Sequence, residues 1–319
     1  MTEPKLEPAQ LLALRGMLVA DVEADLKPRH VARRLGVGVG ALALGAIAAV
    51  VAAVVALPPS VDPADPSAEA STMLRTAAKA ANDPTVADGQ FLKLATTAAF
   101  LATTSLDGRP ESTIGYLDAR VRETFIPADD SARPIEMTTY VEPTVFFGAG
   151  AEAFAARDRK RAAEAATDAP RVVVAEPDAT RPVEDLSLMP RDPRALLDYL
   201  VDFRYQAGSS DENVFAHVVD LLRSGTVKSD LRAALYEALA LMPSVVITEQ
   251  QTTLDDRRGT AIGLATADGA SRQEIIVDPA TGEFIGVRIV SVNGVGEIPA
   301  GTTLEYTALT ASVVDRVAR

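Results

Sequence analysis

Carboxylates have the best claim to chemistry in this chain, because the other usual catalytic and ligating groups are absent or badly placed. Three stretches cluster them: "DENVFAHVVD" at 211–220, "TLDDRRG" at 253–259 and "IIVDPATG" at 275–282. Paired carboxylates can divide acid and base work between them, or hold calcium. The neighbours argue for a plainer role. Asp255 and Asp256 fall between two alternating segments, where an Asp side chain serves by bonding the local backbone, and Asp278 stands before Pro279 at a second such turn. No paired acidic motif stands outside a turn or a solvated face.

The chain has no cysteine, which excludes disulfides, thiolate nucleophiles, iron–sulfur ligation, Cys-bound zinc and a lipid-modified N-terminal Cys. Its two histidines are His30, in a basic cluster, and His217, which "NVFAHVVDLL" sets on a helix flank. A His-containing triad or multi-histidine metal site would have to use His217. The glycine-rich stretches "GVGVG" (36–40) and "NGVGEIPAG" (293–301) lack a phosphate-loop Lys-Ser/Thr and any strand-to-helix setting for a dinucleotide. The sequence therefore names no catalytic, cofactor-binding or metal-ligating residue and no cofactor, and it predicts a protein that is not an enzyme.

Stepping from residues to elements, the strongest signal is a run with no charge between Arg34 and Asp62. As a helix, residues 35–57 would reach roughly 35 Å at about 1.5 Å per residue, enough to cross a hydrocarbon layer near 30 Å with some tilt. A cleaved signal would have a short basic leader, whereas 34 residues with five Asp/Glu precede this run. A single-pass signal-anchor is the reading. Lys27, Arg29, Arg33 and Arg34 flank one side, and Asp62, Asp65 and Glu69 follow on the other. The positive-inside rule then keeps the N-terminus in the cytoplasm and places the C-terminal domain outside the cell. Gly36 and Gly40 form a GxxxG, and Ala41, Gly45, Ala49 and Ala53 repeat every four residues, a dimerisation pattern that an Ala-rich run also reaches by chance.

The organisation read from the chain is a cytoplasmic tail at 1–34, a transmembrane helix at 35–57, a Pro/Asp/Ser stalk at 58–70 and an extracytoplasmic domain at 71–319. In the tail, Leu11, Leu14, Leu18 and Val22 share one helical face. That stripe could bind a cytoplasmic protein, lie along the membrane or continue toward the span. The net charge is −13, and the tail carries six Lys/Arg against five Asp/Glu, so the negative charge belongs to the remainder. Such a body is repelled by nucleic acid and by anionic headgroups.

In the outer domain "TMLRTAAKAAN" reads as a helix, and from Phe91 the period changes to two. Leu117, Ala119 and Val121 alternate with Asp118, Arg120 and Arg122; Ile135, Met137 and Val141 oppose Glu136 and Tyr140. Asp107-Gly108 marks a hairpin between the first two strands. Residues 148–189 lose the alternation and show no clear apolar face, predicting a mobile insertion, part-helical at most. Three capped helices follow: Asp192-Pro193 opens one, Ser209 with Glu212 a second that closes on Gly225, and the third ends before Pro243. Five closely spaced strand patterns from Ser244 to Val314 leave no room for crossover helices, so they predict a meander. The fold class is α+β: a curved antiparallel sheet with a central block of three helices packed on it, behind an N-terminal transmembrane helix.

Several segments together resemble a known family: "GQFLKL", "LMPRDPRALLDYL", "LRAALYEALALMPSVVIT", "DDRRGTAIGLA" and "EIIVDPATGEFIGVRIV". They look like a group of actinobacterial single-pass membrane proteins of unknown function, often encoded beside extracytoplasmic-function sigma factors. The likeness runs from about residue 70 to the C-terminus, with the tail and anchor matching in layout. Ser244 stands where that group would have an aromatic and Gly, and the first strands lack its Trp. More loosely, a helix-lined curved sheet is similar to the half-barrel of periplasmic lipoprotein carriers and of sensors that govern envelope-stress sigma factors. The resemblance implies architecture and a genomic habit, and no catalytic residue.

Three functions follow from these readings. One is a membrane-anchored extracytoplasmic binding or sensing module for an apolar ligand or peptide, its tail engaging a cytoplasmic regulator such as a sigma factor. Another is a cell-envelope carrier or scaffold for an apolar ligand, without signalling. The last is a carboxylate-based hydrolase. An apolar cavity between sheet and helices would favour ligand capture, and a solid core would favour protein recognition.

Overall fold

The computed structural model describes residues 66–129, 133–165, 172–174, 185–202 and 209–317. The tail, the apolar run at 35–57 and the stalk as far as residue 65 lie outside them. No helix of the described residues is long and apolar enough to cross a membrane.

Helix α1, Pro66–Ala80, begins five residues inside the segment read as stalk. Pro66 suits a first helical position, where the missing N–H would have had no partner. The helix buries Ala70, Leu74, Ala77 and Ala78 on one face. Strand β1, Phe91–Ser105, begins at the residue where the period changes, and β2, Thr113–Pro127, returns antiparallel to it. Between them, Asp107 accepts a bond from the Arg109 N–H at 3.0 Å, and a one-turn 3₁₀ helix, Pro110–Ser112, lengthens the loop beyond a two-residue hairpin. Strand β3, Ile135–Val141, continues the meander, and β4, Phe146–Phe147, pairs with β2 at Gly115 and Tyr116.

Helix α2, Ala151–Ala165, occupies the start of the region read as a mobile insertion. It is docked, with Ala151 and Ala155 buried and Phe154 edge-on to Tyr116 at 5.4 Å. A three-residue strand β5, Val172–Val174, pairs with β3. The rest of that insertion up to residue 184 is outside the described residues.

The three expected helices follow. Helix α3, Pro193–Asp202, is capped by Asp192, whose carboxylate accepts from the Ala195 N–H at 2.9 Å. Helix α4, Ser210–Arg223, is capped by Ser209, which accepts from the Glu212 N–H at 3.2 Å. Helix α5, Ser229–Leu239, lacks a cap of its own; Asp83, beyond α1, accepts from the Ser229 N–H at 2.8 Å. The C-terminal strands are β6 (Val246–Leu254), β7 (Arg257–Ala265), β8 (Ser271–Asp278), β9 (Glu283–Ser291) and β10 (Thr303–Val314).

The described residues thus form an α+β fold of one ten-stranded antiparallel sheet and five helices. The path across the sheet is β5-β3-β2-β1-β10-β9-β8-β7-β6, so two meanders fuse where β1 pairs β10. On one face Leu94, Ile262, Ile275, Val277, Val287 and Leu309 meet the helices. On the other, Ala99, Leu117, Ala119, Ala261, Ile276, Tyr306 and Ala308 form a second core with Leu254. This second core curls the sheet. Leu254 of β6 comes within 2.6 Å of where a side chain on Gly286 of β9 would begin, although three strand spacings of about 4.8 Å would separate them if the sheet were flat.

Both cores are closely packed around their deepest side chains. Leu74, Leu196, Leu200, Val218, Leu235 and Tyr236 on the helix side expose 0% of their surface, as do Leu254, Ala261, Ile276 and Ala308 on the other. A void large enough for water would leave its lining accessible, so none borders these residues.

Candidate functional site

The carboxylates singled out in the sequence do not converge. Asp255 and Asp256 make the β6–β7 turn with φ of 51° and 60°, a left-handed conformation that Asp tolerates and two-residue hairpins require. Burial raises the Asp255 carboxyl above its usual range, against the pull of Arg257. Asp278 ties the β8–β9 turn by accepting from the Ala280 N–H at 2.8 Å and the Thr281 hydroxyl at 2.9 Å. Asp211 accepts from the Ser244 hydroxyl, and Glu212 completes the cap of α4. His217 is buried within α4, and His30 is outside the described residues. Among the described residues no group of three or more His, Asp or Glu could hold a metal ion.

Two charged constellations are assembled by the fold and invisible in the sequence. The first lies on the second face of the sheet. Register sets Glu274 of β8 opposite Arg288 of β9, and the pair bond directly. Arg272 bonds the same carboxylate, while Arg288 also reaches Glu249 at 2.6 Å and the Thr252 hydroxyl at 3.0 Å. The Glu274 side chain is fully buried, which would raise its carboxyl, but Arg288 and Arg272 outweigh that and hold it below the usual glutamate value. Two carboxylates meet two guanidinium groups here. This network locks strands together.

The second constellation surrounds α2. Tyr116 and Asp118 lie two residues apart on β2 and so share a face. The Tyr116 hydroxyl donates to Asp158 of α2 at 2.8 Å, and Arg159 of α2 pairs with Asp118 at 3.0 Å. Arg159 also donates to the Val141 carbonyl at 2.9 Å and pairs with Glu142 at 3.4 Å, stitching α2 to the end of β3. Burial, then the bond to Asp158, pushes the Tyr116 hydroxyl well above its usual range, and burial raises Asp118 against the opposing pull of Arg159.

Beside these contacts an open groove of about 460 Å³ runs between α2 and the segment after β3. Ala155, Ala156 and Ala163 line its α2 side and Pro143 and Phe146 the other, together with the charged side chains of Glu142, Glu152, Arg159 and Lys160. Its small side chains and mixed charges suit contact with a polypeptide. The alternation of Asp118, Arg120 and Arg122 in the sequence marked this face as wet; Phe154 spaced three and one residues from Ala151 and Ala155 was the only trace of the helix that covers part of it.

Compared with known proteins, the chain matches no protein-family model and no curated protein.

Proposed function

We propose that this protein is a membrane-anchored extracytoplasmic recognition module that senses or binds a protein partner and is not an enzyme. The close packing between sheet and helices carries this reading. Side chains with no accessible surface on either side of the sheet leave no apolar tunnel beside them, whereas the groove along α2 is open. Anchoring rests on the uncharged run at 35–57 and its basic cytoplasmic flank. In this arrangement α1 follows the span after a short stalk, and the tail at 1–34 is available to a cytoplasmic regulator. The resemblance to actinobacterial proteins encoded beside sigma factors makes a sigma factor, or its inhibitor, the regulator to examine first.

The test has two arms. Deleting residues 2–26, which leaves the basic flank from Lys27 to Arg34 in place, should change the transcripts of a sigma factor encoded beside the gene while the protein remains in the membrane fraction. An unchanged transcript profile removes the signalling role. Native mass spectrometry of the purified full chain should show no lipid that survives detergent exchange, and a lipid retained at one-to-one stoichiometry would move the function to an envelope carrier.

A further inference from the structure

Beside the end of α4, the helix-side face of β1–β3 is left partly bare and forms a cleft of about 220 Å³. The sheet lines it with Leu94, which is nearly buried, and with Ile126, Thr96 and Thr124, and Pro134 adds a further apolar contact. The turn after α4 supplies the facing wall through Thr226, held down by Gly225, which lies against Leu94 and Leu309. Strand register brings two opposite charges to this cleft. Leu94 stands opposite Thr124, Thr124 opposite Glu136, and Arg122 two residues along β2 on the same face.

Several charges of the sheet are paired: Lys93 with Glu123, Arg257 with Glu283, Arg288 with Glu274, and Glu305 with Arg223 of α4. Arg122 and Glu136 are not. Both line the cleft, and neither forms an ion pair with the other or with any other described residue; the bond that Glu136 does accept is a long one of 3.4 Å from the Thr124 hydroxyl. A guanidinium and a carboxylate held apart beside Leu94 and Ile126 are complementary to a molecule carrying the reverse pair over an apolar body. The guanidinium fork fits a carboxylate, and the carboxylate of Glu136 fits an ammonium group. The volume falls below the roughly 300–1,000 Å³ of sites for drug-sized ligands, which selects something of metabolite size.

We propose that this cleft binds a free α-amino acid, its carboxylate on Arg122, its ammonium group on Glu136 and its side chain over Leu94 and Ile126. The site lies apart from the α2 groove and does not depend on the protein-recognition reading.

The test is calorimetric titration of the full-length protein in detergent micelles with each of the common free L-amino acids. Saturable binding of at least one is expected. For that amino acid, the deaminated analogue and the decarboxylated analogue should each bind at least about tenfold more weakly, a loss of about 1.4 kcal/mol. Arg122→Gln and Glu136→Gln should each weaken binding by about tenfold or more. Arg122 is exposed and Glu136 half-buried, so both variants should keep the wild-type unfolding midpoint. Thr226→Phe, which fills the cleft from the opposite wall with an uncharged side chain, should abolish binding. The proposal is overturned by no saturable binding with any amino acid, by an analogue lacking one charge that binds as tightly as its parent, or by binding retained in the Thr226→Phe protein.

Discussion

Glu274 and Arg288 can be buried because each is the other's solvent. Removing one partner leaves the other as an uncompensated charge in the sheet, which typically costs about 3–5 kcal/mol. Arg288→Met should therefore lower stability by about that amount in urea unfolding. The acid dependence has a definite sign. Glu274 is held below the ordinary glutamate value of 4.5 in the folded state, so its contribution is fully present above that value and is lost as the pH falls through the depressed one. The Arg288→Met protein should lack this loss, giving a flatter stability profile below pH 4.5. Tyrosines give a second contrast. Tyr306 is completely buried with an unpartnered hydroxyl, and burial followed by the nearby Asp255 charge pushes its pKa up to about 12. Tyr116 has Asp158 as its partner. Tyr306→Phe should thus be neutral or stabilising by up to about 1 kcal/mol, while Tyr116→Phe should cost about 1 kcal/mol. Thermal unfolding of the two variants separates them, and equal losses in both would contradict the hydroxyl assignments.

The helices differ in how they are fastened, and α1 is held at several points. Ser71 donates to the Ala240 carbonyl at 2.9 Å, Glu69 accepts from Gln250 of β6 at 3.0 Å, and Arg232 of α5 donates to the Asn82 carbonyl at 2.6 Å. The β8–β9 turn closes this contact. Gly282 adopts φ of 69°, and a side chain there would run into the Ala77 carbonyl and the backbone of Ala81. Gly282→Ala combines a left-handed backbone with a backbone clash, and should cost about 1–3 kcal/mol. Hydrogen exchange should locate the effect, with amides in the last turn of α1 exchanging faster than those of α3. The sequence made the capped helices and the alternating strands legible, since Asp192, Ser209 and Gly225 act locally and β2 alternates from Leu117 to Arg122. Helix α2 was hidden because it docks through Ala151 and Ala155, side chains too small to raise an apolar stripe above an Ala-rich background. The Arg288 network was hidden for another reason. The partners of Arg288 lie 14 to 39 positions away from it, and register shifts in β6 around Glu249 break the alternation that would have assigned them a face.

At the scale of the whole described body, everything depends on one long-range seam. Strands β1 to β3 and β6 to β9 are each joined by short connections, but the two sets become a single sheet only where β1 pairs β10, from Phe91 opposite Val314 to Phe100 opposite Glu305. That pairing also completes both cores, because Leu309 faces the helices and Tyr306 and Ala308 face the second cluster. Closing a seam between strands so distant in the chain forfeits loop entropy before any contact rewards it, which makes folding slow relative to domains built from local contacts. A chain stopped after Gly301 lacks β10 entirely. It exposes the flank of β1 and of β9 at once and leaves Arg223 without Glu305. The expected outcome is loss of the single cooperative unfolding transition and gain of dye-binding apolar surface, with aggregation through the two new strand edges. Stopping after Val314 removes only the terminal residues beyond the ladder and should leave the transition intact. If instead the chain ending at Gly301 unfolds with an unchanged midpoint, the meanders are stable separately and the seam is a docking contact between them.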